Sequence, residues 1–219
     1  MAEHQLLRTL EAKVNPQLCA VLVIDMQNDF CSPGGFVDHL GMDLSAIDGC
    51  VRSIQRLIHH ARVAGIDVVH IRSHFDPQYM LPPMIERLER KKSEPYCVSG
   101  TWGAEFVKDL EPIAGESVIT KHRYSGFYAT NLDITLRAKG IQTVILTGTA
   151  TNNCVDGTGR DAFYNGYYAV MVSDATAASS EALHESALKT ADHAYAVIAT
   201  SDEICTIWST RTAPAASVG

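Results

Sequence analysis

Three residues combine a useful side chain with a telling place in the sequence: Asp25, Lys121 and Cys154. Asp25 closes the apolar run Val21-Leu22-Val23-Ile24. Lys121 closes Ser117-Val118-Ile119-Thr120, and Cys154 follows Thr143–Leu146 through Gly148-Thr149-Ala150-Thr151-Asn152-Asn153. A thiol so placed is a candidate nucleophile, and a carboxylate and an ammonium at strand ends are candidate polar partners for a ligand or for one another. Cys154 also opens a stretch, Cys-Val-Asp-Gly-Thr-Gly-Arg-Asp-Ala-Phe, that reads as the start of a helix. The dipole and free N–H groups there are expected to stabilise a thiolate, and a nearby lysine to lower the thiol pKa further. The same N–H groups suit an oxyanion hole. Taken singly, Asp25 also suits a turn former and Lys121 a surface lysine at a strand end. A buried structural cysteine describes Cys19 and Cys50, on apolar faces, better than Cys154, which polar Asn152 and Asn153 precede.

The elements that must position these groups are legible in the apolar spacing. Short β-rich runs recur at Ala20–Ile24, Ile66–Ile71, Val118–Ile119, Thr143–Leu146 and Tyr168–Val172, with a weaker one at Ala196–Ala199. Between most of them lies helical spacing, as in Ile47, Val51, Ile54, Leu57, Ile58 and Ala61. Gly65, Gly140 and Gly166 stand where helices should stop, and Ser45 and Thr130 are spaced as helix N-caps. Near-continuous apolar strands suit a parallel sheet covered on both faces. The expected fold is therefore a three-layer α/β/α sandwich with a mostly parallel, Rossmann-like sheet. In such sheets ligands bind outside the carboxyl ends of the strands, where Asp25, Lys121 and Cys154 fall.

Composition narrows the function. The 219 residues, 46% hydrophobic and 20% charged, form one expected domain, with a core over about 19–201 and a tail at 212–219 expected to fray. Eighteen Lys+Arg against 25 Asp+Glu give a net charge of -7 and no basic block, so nucleic acid is not an expected partner. No apolar run is long enough to span a membrane. The N-terminal residues carry interspersed charges and no signal-peptide pattern, so the expected compartment is the cytoplasm. The six cysteines are scattered singly, as free thiols rather than a disulfide framework.

The segment from Arg72 to Gly100 breaks the alternation with Pro77, Pro82, Pro83 and Pro95 and a charged patch at Glu86–Lys92. So long a connection is expected to serve as a lid or an oligomer contact, or to be a solvated excursion with a short helix at Met84–Lys91. His70 and His74, four apart on a strand end, do not make a metal pair, and no metal or other cofactor is expected.

The chain resembles the isochorismatase-like cysteine hydrolases. The resemblance rests on Val23-Ile24-Asp25-Met26-Gln27-Asn28-Asp29-Phe30, Thr120-Lys121 and Gly148-Thr149-Ala150-Thr151-Asn152-Asn153-Cys154-Val155, in that order, and covers about Cys19 to Ser201. It implies a catalytic triad of Asp25, Lys121 and Cys154. It also implies a cis peptide between Thr149 and Ala150, with the Ala150 and Cys154 N–H groups as the oxyanion hole. The cysteine favours amide-type hydrolysis over vinyl-ether cleavage. Gly34–His39 with Gly41–Ser45 resemble the ureidoacrylate and biuret amidohydrolases, and Arg123–Phe127 after Lys121 resembles more the ureidoacrylate branch, although His122 stands where that branch would have proline. The implied substrate is a small ureido or carbamoyl compound. The alternatives are another small carboxamide, of the nicotinamide, maleamate or N-carbamoylsarcosine type, or a non-catalytic binding or thiol redox-sensing protein on the same fold. Phe30, His74, Trp102, Arg123 and Tyr124 are the expected substrate contacts, with Arg123 either pairing a substrate carboxylate or serving an interface. The resemblance further implies a homo-oligomer, a dimer or tetramer, with Phe163-Tyr164 and Tyr167-Tyr168 as contributors.

Overall fold

A computed structural model describes residues 6–212; the 212–219 tail lies, apart from Thr212, outside them. After a short helix α1 (Leu10–Lys13), strand β1 (Cys19–Ile24) leads through two single-turn helices, α2 (Asn28–Cys31) and α3 (Phe36–His39), into α4 (Ser45–Val63). Then come β2 (Asp67–Ser73), α5 (Pro82–Lys91), β3 (Ser117–Lys121), α6 (Leu132–Ala138) and β4 (Thr143–Thr149). The chain continues with α7 (Asp156–Tyr164), β5 (Tyr168–Ala177), α8 (Glu181–Ala194), β6 (Ala196–Ala199) and α9 (Ser201–Thr212). All strand pairings are parallel, in the order β3-β2-β1-β4-β5-β6. The order reverses between β1 and β4, which opens a crevice beyond their carboxyl ends.

Alternate residues of β1 feed two separate cores, because strand side chains point to opposite faces. Val21 and Val23 pack with Ile54, Leu57 and Ile58 of α4 and with Ile204 and Trp208 of α9. Ala20, Leu22 and Ile24 pack with Leu132 and Leu136 of α6, Ala162 of α7 and Ala191 of α8. This is the expected α/β/α sandwich.

The structure corrects several details. The strands run on toward the crevice: β2 to Ser73, β4 to Thr149 and β5 to Ala177. α9 was not foreseen, because its apolar Ile204, Cys205 and Trp208 are spread among Ser and Thr. Trp208 nevertheless reaches the core and donates its indole N–H to the Val14 carbonyl at 2.8 Å. Ser45 is the first residue of α4 rather than its cap: Leu44 holds the cap position without a side-chain bond, and Asp43 before it accepts the Ser45 N–H at 2.8 Å. Thr130 does accept the Leu132 N–H at 3.2 Å, one residue further back than an ideal cap. All six cysteines are free thiols. Among the described residues no helix is long and apolar enough to cross a membrane.

Candidate active site

The crevice gathers its polar groups from strand ends. Asp25, directly after β1, takes a left-handed backbone at φ 53, a region where aspartate is better tolerated than most residues, while its N–H donates to the Ile71 carbonyl at 2.8 Å. The turn aims the side chain across the end of β2 instead of continuing the strand. On the other side Gly148 sits at φ 109, and a Cβ there would lie 1.9 Å from the Ile24 carbonyl oxygen. Glycine is required for β4 to bend against β1 and carry the following residues beside Asp25. The Thr149–Ala150 peptide is cis. A π-helical turn, Thr151–Val155, then leads into α7, with the Val155 N–H donating to the Ala150 carbonyl at 3.2 Å.

Lys121 and Asp25 form a fully buried pair, with Nζ donating to Oδ2 at 2.8 Å and side-chain exposures of 0% and 1%. Nζ also donates to Ser73 Oγ at 2.7 Å and to the Arg123 carbonyl at 3.1 Å, so all three ammonium protons have acceptors. Ser73 Oγ donates in turn to the other carboxylate oxygen at 2.9 Å. Ser73 is itself bracketed by Gln27, whose Oε1 accepts its N–H at 2.7 Å and whose Nε2 donates to its carbonyl at 3.0 Å. Strand-end logic would have found Ser73 had β2 been read to its full length.

The buried Cys154 thiol lies close enough to Asp25 and Lys121 for both to act on its ionisation. Burial pushes its pKa up, the Asp25 charge pushes the same way, and Lys121 only partly opposes them. This reverses the expectation of a thiol acidified by a helix start and a lysine. Desolvation and the neighbouring carboxylate outweigh both, so the resting thiol carries its proton. For Lys121 burial works against the charge and the adjacent Asp25 carboxylate favours it, and the net shift holds the ammonium above its usual value.

Of these groups Asp25 and Cys154 line a cavity of about 430 Å³, with Lys121 and Ser73 behind them. Phe30, Phe36, Tyr96 and Tyr124 supply aromatic surface, and Thr149, Ala150, Asn152 and Asn153 line it beside the thiol. A nucleophile, a carboxylate and a cation thus meet at one apolar-walled pocket, an arrangement suited to acyl transfer.

The isochorismatase domain model matches residues 19–203. The chain belongs to the isochorismatase family. The ureidoacrylate amidohydrolase RutB of Yersinia enterocolitica is 41% identical over 170 residues, covering 72% of this chain and 74% of its own length. A cysteine hydrolase from Pseudomonas syringae pv. phaseolicola 1448A superimposes with a TM-score of 0.81 at 27% identity, covering 96% of this chain and 99% of that one. N-carbamoylsarcosine amidase from Thermoplasma acidophilum gives 0.70 at 31% identity, covering 84% and 97%.

In this isochorismatase-family chain the structure brings Asp25, Lys121, Cys154, Ala150, Thr149, Phe30 and Tyr124 together, and leaves three expected contacts elsewhere. Arg123 turns away from the cavity and donates to the Tyr79 carbonyl at 3.0 Å. His74 is outside the lining, its carbonyl paired with His122 Nδ1 at 2.7 Å. Trp102 is half exposed in a 3-10 turn, also outside it. The cations that do line the cavity are Arg87 and Lys91 of α5, in the long connection. His70 lies inside the sheet against Glu116, and among the described residues no group of three or more His, Cys, Asp or Glu could hold a metal. Phe163 and Tyr164 are exposed, whereas Tyr167 packs into the core beside Phe127.

Proposed function

We propose that the protein is a cysteine-dependent amidohydrolase that cleaves a C–N bond of a small ureido or carbamoyl compound. Family membership and the amidohydrolase relatives carry the class, a hydrolase of linear amides. The observation that carries the mechanism is the buried Asp25–Ser73–Lys121 network beside the buried Cys154 thiol at the cavity wall, where burial and the Asp25 charge push the thiol pKa up. A thiol whose pKa is raised needs a base at the moment of attack, and Asp25 is the carboxylate in contact with it.

Asp25 takes the thiol proton as Sγ bonds to the substrate carbonyl carbon and the carbonyl electrons move to oxygen. The Ala150 and Cys154 N–H groups hold that oxyanion, an interaction worth about 3 kcal/mol per donor in other hydrolases. The C–N bond breaks on collapse, and the nitrogen leaves as ammonia or an amine with the proton from Asp25. Water, giving its proton to Asp25, then adds to the S-bound carbonyl. Expulsion of the sulfur, which recovers that proton, restores the resting thiol. Lys121 stays protonated throughout, offsetting negative charge as it moves between carboxylate and sulfur. No step requires a cofactor. The protein is read as a homo-oligomer, for which the exposed Phe163 and Tyr164 offer apolar surface.

Ammonia and amine release measured on ureidoacrylate analogues, biuret, N-carbamoyl amino acids, nicotinamide and maleamate tests the substrate class. Turnover concentrated on ureido compounds is expected. Turnover of nicotinamide or maleamate alone would replace the substrate class, and none across the panel would overturn the enzymatic reading.

A further inference from the structure

If Cys154 attacks a ureido carbonyl, as proposed above, the rest of the substrate must be recognised by the opposite wall of the cavity. That wall includes α5. Its Met84 and Leu88 pack on the Phe75, Tyr96 and Cys97 cluster. Met84, Arg87, Leu88 and Lys91 are spaced i, i+3, i+4, i+7, one side of the helix, so the two cations, themselves solvent-exposed, flank the half-buried apolar anchors. Both line the cavity that holds the thiol.

The charges of this helix are handled in two ways. On the outer face Arg90 is neutralised by Glu86 at 2.9 Å, an i,i+4 pair. Arg87 and Lys91, also four apart, have no carboxylate within ion-pair distance among the described residues. Like charges at that spacing destabilise a helix unless something negative lies between them. The acids that share the lining are engaged elsewhere: Asp25 by Lys121 and Ser73, and Asp43 by the N–H and hydroxyl of Ser45, each at 2.8 Å. The Arg87 guanidinium lies 6.0 Å from the centre of the Tyr124 ring, another residue of the cavity lining.

We propose that Arg87 and Lys91 form an anion subsite that takes the carboxylate of a ureido acid while its ureido carbonyl lies on Cys154. The planar guanidinium matches a carboxylate with two parallel hydrogen bonds, and the lysine adds a second charge. The subsite selects ureido acids over neutral ureas, a role Arg123 cannot fill from outside the cavity lining.

Binding measured without turnover separates this subsite from the chemistry. By calorimetry on Cys154→Ala, 3-ureidopropionate is expected to bind at least about tenfold more tightly than propylurea, which lacks only the carboxylate. Adding Arg87→Met should bring the ratio close to one and Arg87→Glu should invert it. Arg87→Lys should retain part of it, and Lys91→Met should lower it less than Arg87→Met. Equal affinity for acid and urea, no binding of either, or a preference that survives Arg87→Met with Lys91→Met would overturn the subsite. Failure of the chemistry reads out differently, as no ammonia or amine from any ureido compound with the wild type.

Discussion

Strands β2 and β3 carry two polar clusters, one at each end of β3, built from similar parts and put to different ends. At the carboxyl end Ser73, Lys121 and Asp25 interlock, and Asp25 opens on the cavity together with Cys154. At the amino end Glu116, just before β3, accepts from Arg62 Nε at 2.8 Å, from the Ile113 N–H at 3.0 Å and from His70 Nε2 at 3.0 Å. Both contain a carboxylate, a cation and a desolvated titratable group. The Glu116 cluster closes on itself: its carboxylate is saturated with donors, and neither Glu116 nor His70 lines a cavity containing a nucleophile. In the other, the carboxylate held by Lys121 and Ser73 lies at the cavity beside a thiol, the group it would deprotonate in the proposed reaction. A perturbed buried group is therefore a poor marker of a site by itself, and access together with a reactive neighbour makes the difference.

Replacing groups one at a time in each cluster can break this contrast. The largest effect is expected from Cys154→Ala, which should lower kcat/KM for the preferred ureido compound by about 10⁴-fold or more while leaving thermal unfolding near the wild-type temperature. Asp25→Asn should lose about 10²- to 10⁴-fold in rate, and urea unfolding should show about 3–5 kcal/mol lost because Lys121 stays buried without its carboxylate. Ser73→Ala, which removes one partner from each of Asp25 and Lys121, is expected to reduce the rate about tenfold and to cost about 1–3 kcal/mol. Glu116→Gln should separate the clusters most clearly, with stability down by about 1–3 kcal/mol and kcat/KM within twofold of wild type. A rate loss in Glu116→Gln as large as in Ser73→Ala would erase the distinction.

The smallest effect is a pH dependence of stability. Burial lowers the His70 pKa below 6.5, and its Nδ1 has no hydrogen-bond partner, so a second ring proton would be buried unsatisfied. With the folded value depressed, the unfolded chain binds more protons below pH 6.5, and stability present above 6.5 is lost as pH falls through it toward the folded value. His74 and His184, also lowered by burial, act in the same direction. Unfolding free energies at pH 7 and pH 5.5 should therefore differ less in His70→Gln than in wild type, and an identical difference would refute the assignment.

Much of the site was legible because Asp25, Lys121 and Cys154 each close or follow an apolar strand, and a charge at such a position is conspicuous. Ser73 escaped notice because β2 extends two residues beyond its apolar run and because a serine there signals little without the lysine and carboxylate it joins. The acidified thiol was wrong for a related reason. Sequence shows the helix start and the lysine but not the depth of burial, which dominates. Arg123 looked like the substrate cation because it is two residues from Lys121, yet it leaves the strand end and binds a backbone carbonyl. Arg87 comes from a connection whose place over the crevice no periodicity encodes, although the helix itself was expected almost to the residue, at Met84–Lys91 against the observed Pro82–Lys91.

The covalent role of Cys154 is tested most directly by acid-quenching the enzyme during turnover of its preferred ureido compound and mapping modified peptides by mass spectrometry, with Cys154→Ala in parallel. An adduct confined to the Cys154 peptide, which appears with substrate and is absent together with turnover in the variant, is the expected result. An unmodified Cys154 peptide at every time point, with hydrolysis surviving in Cys154→Ala, would contradict the mechanism.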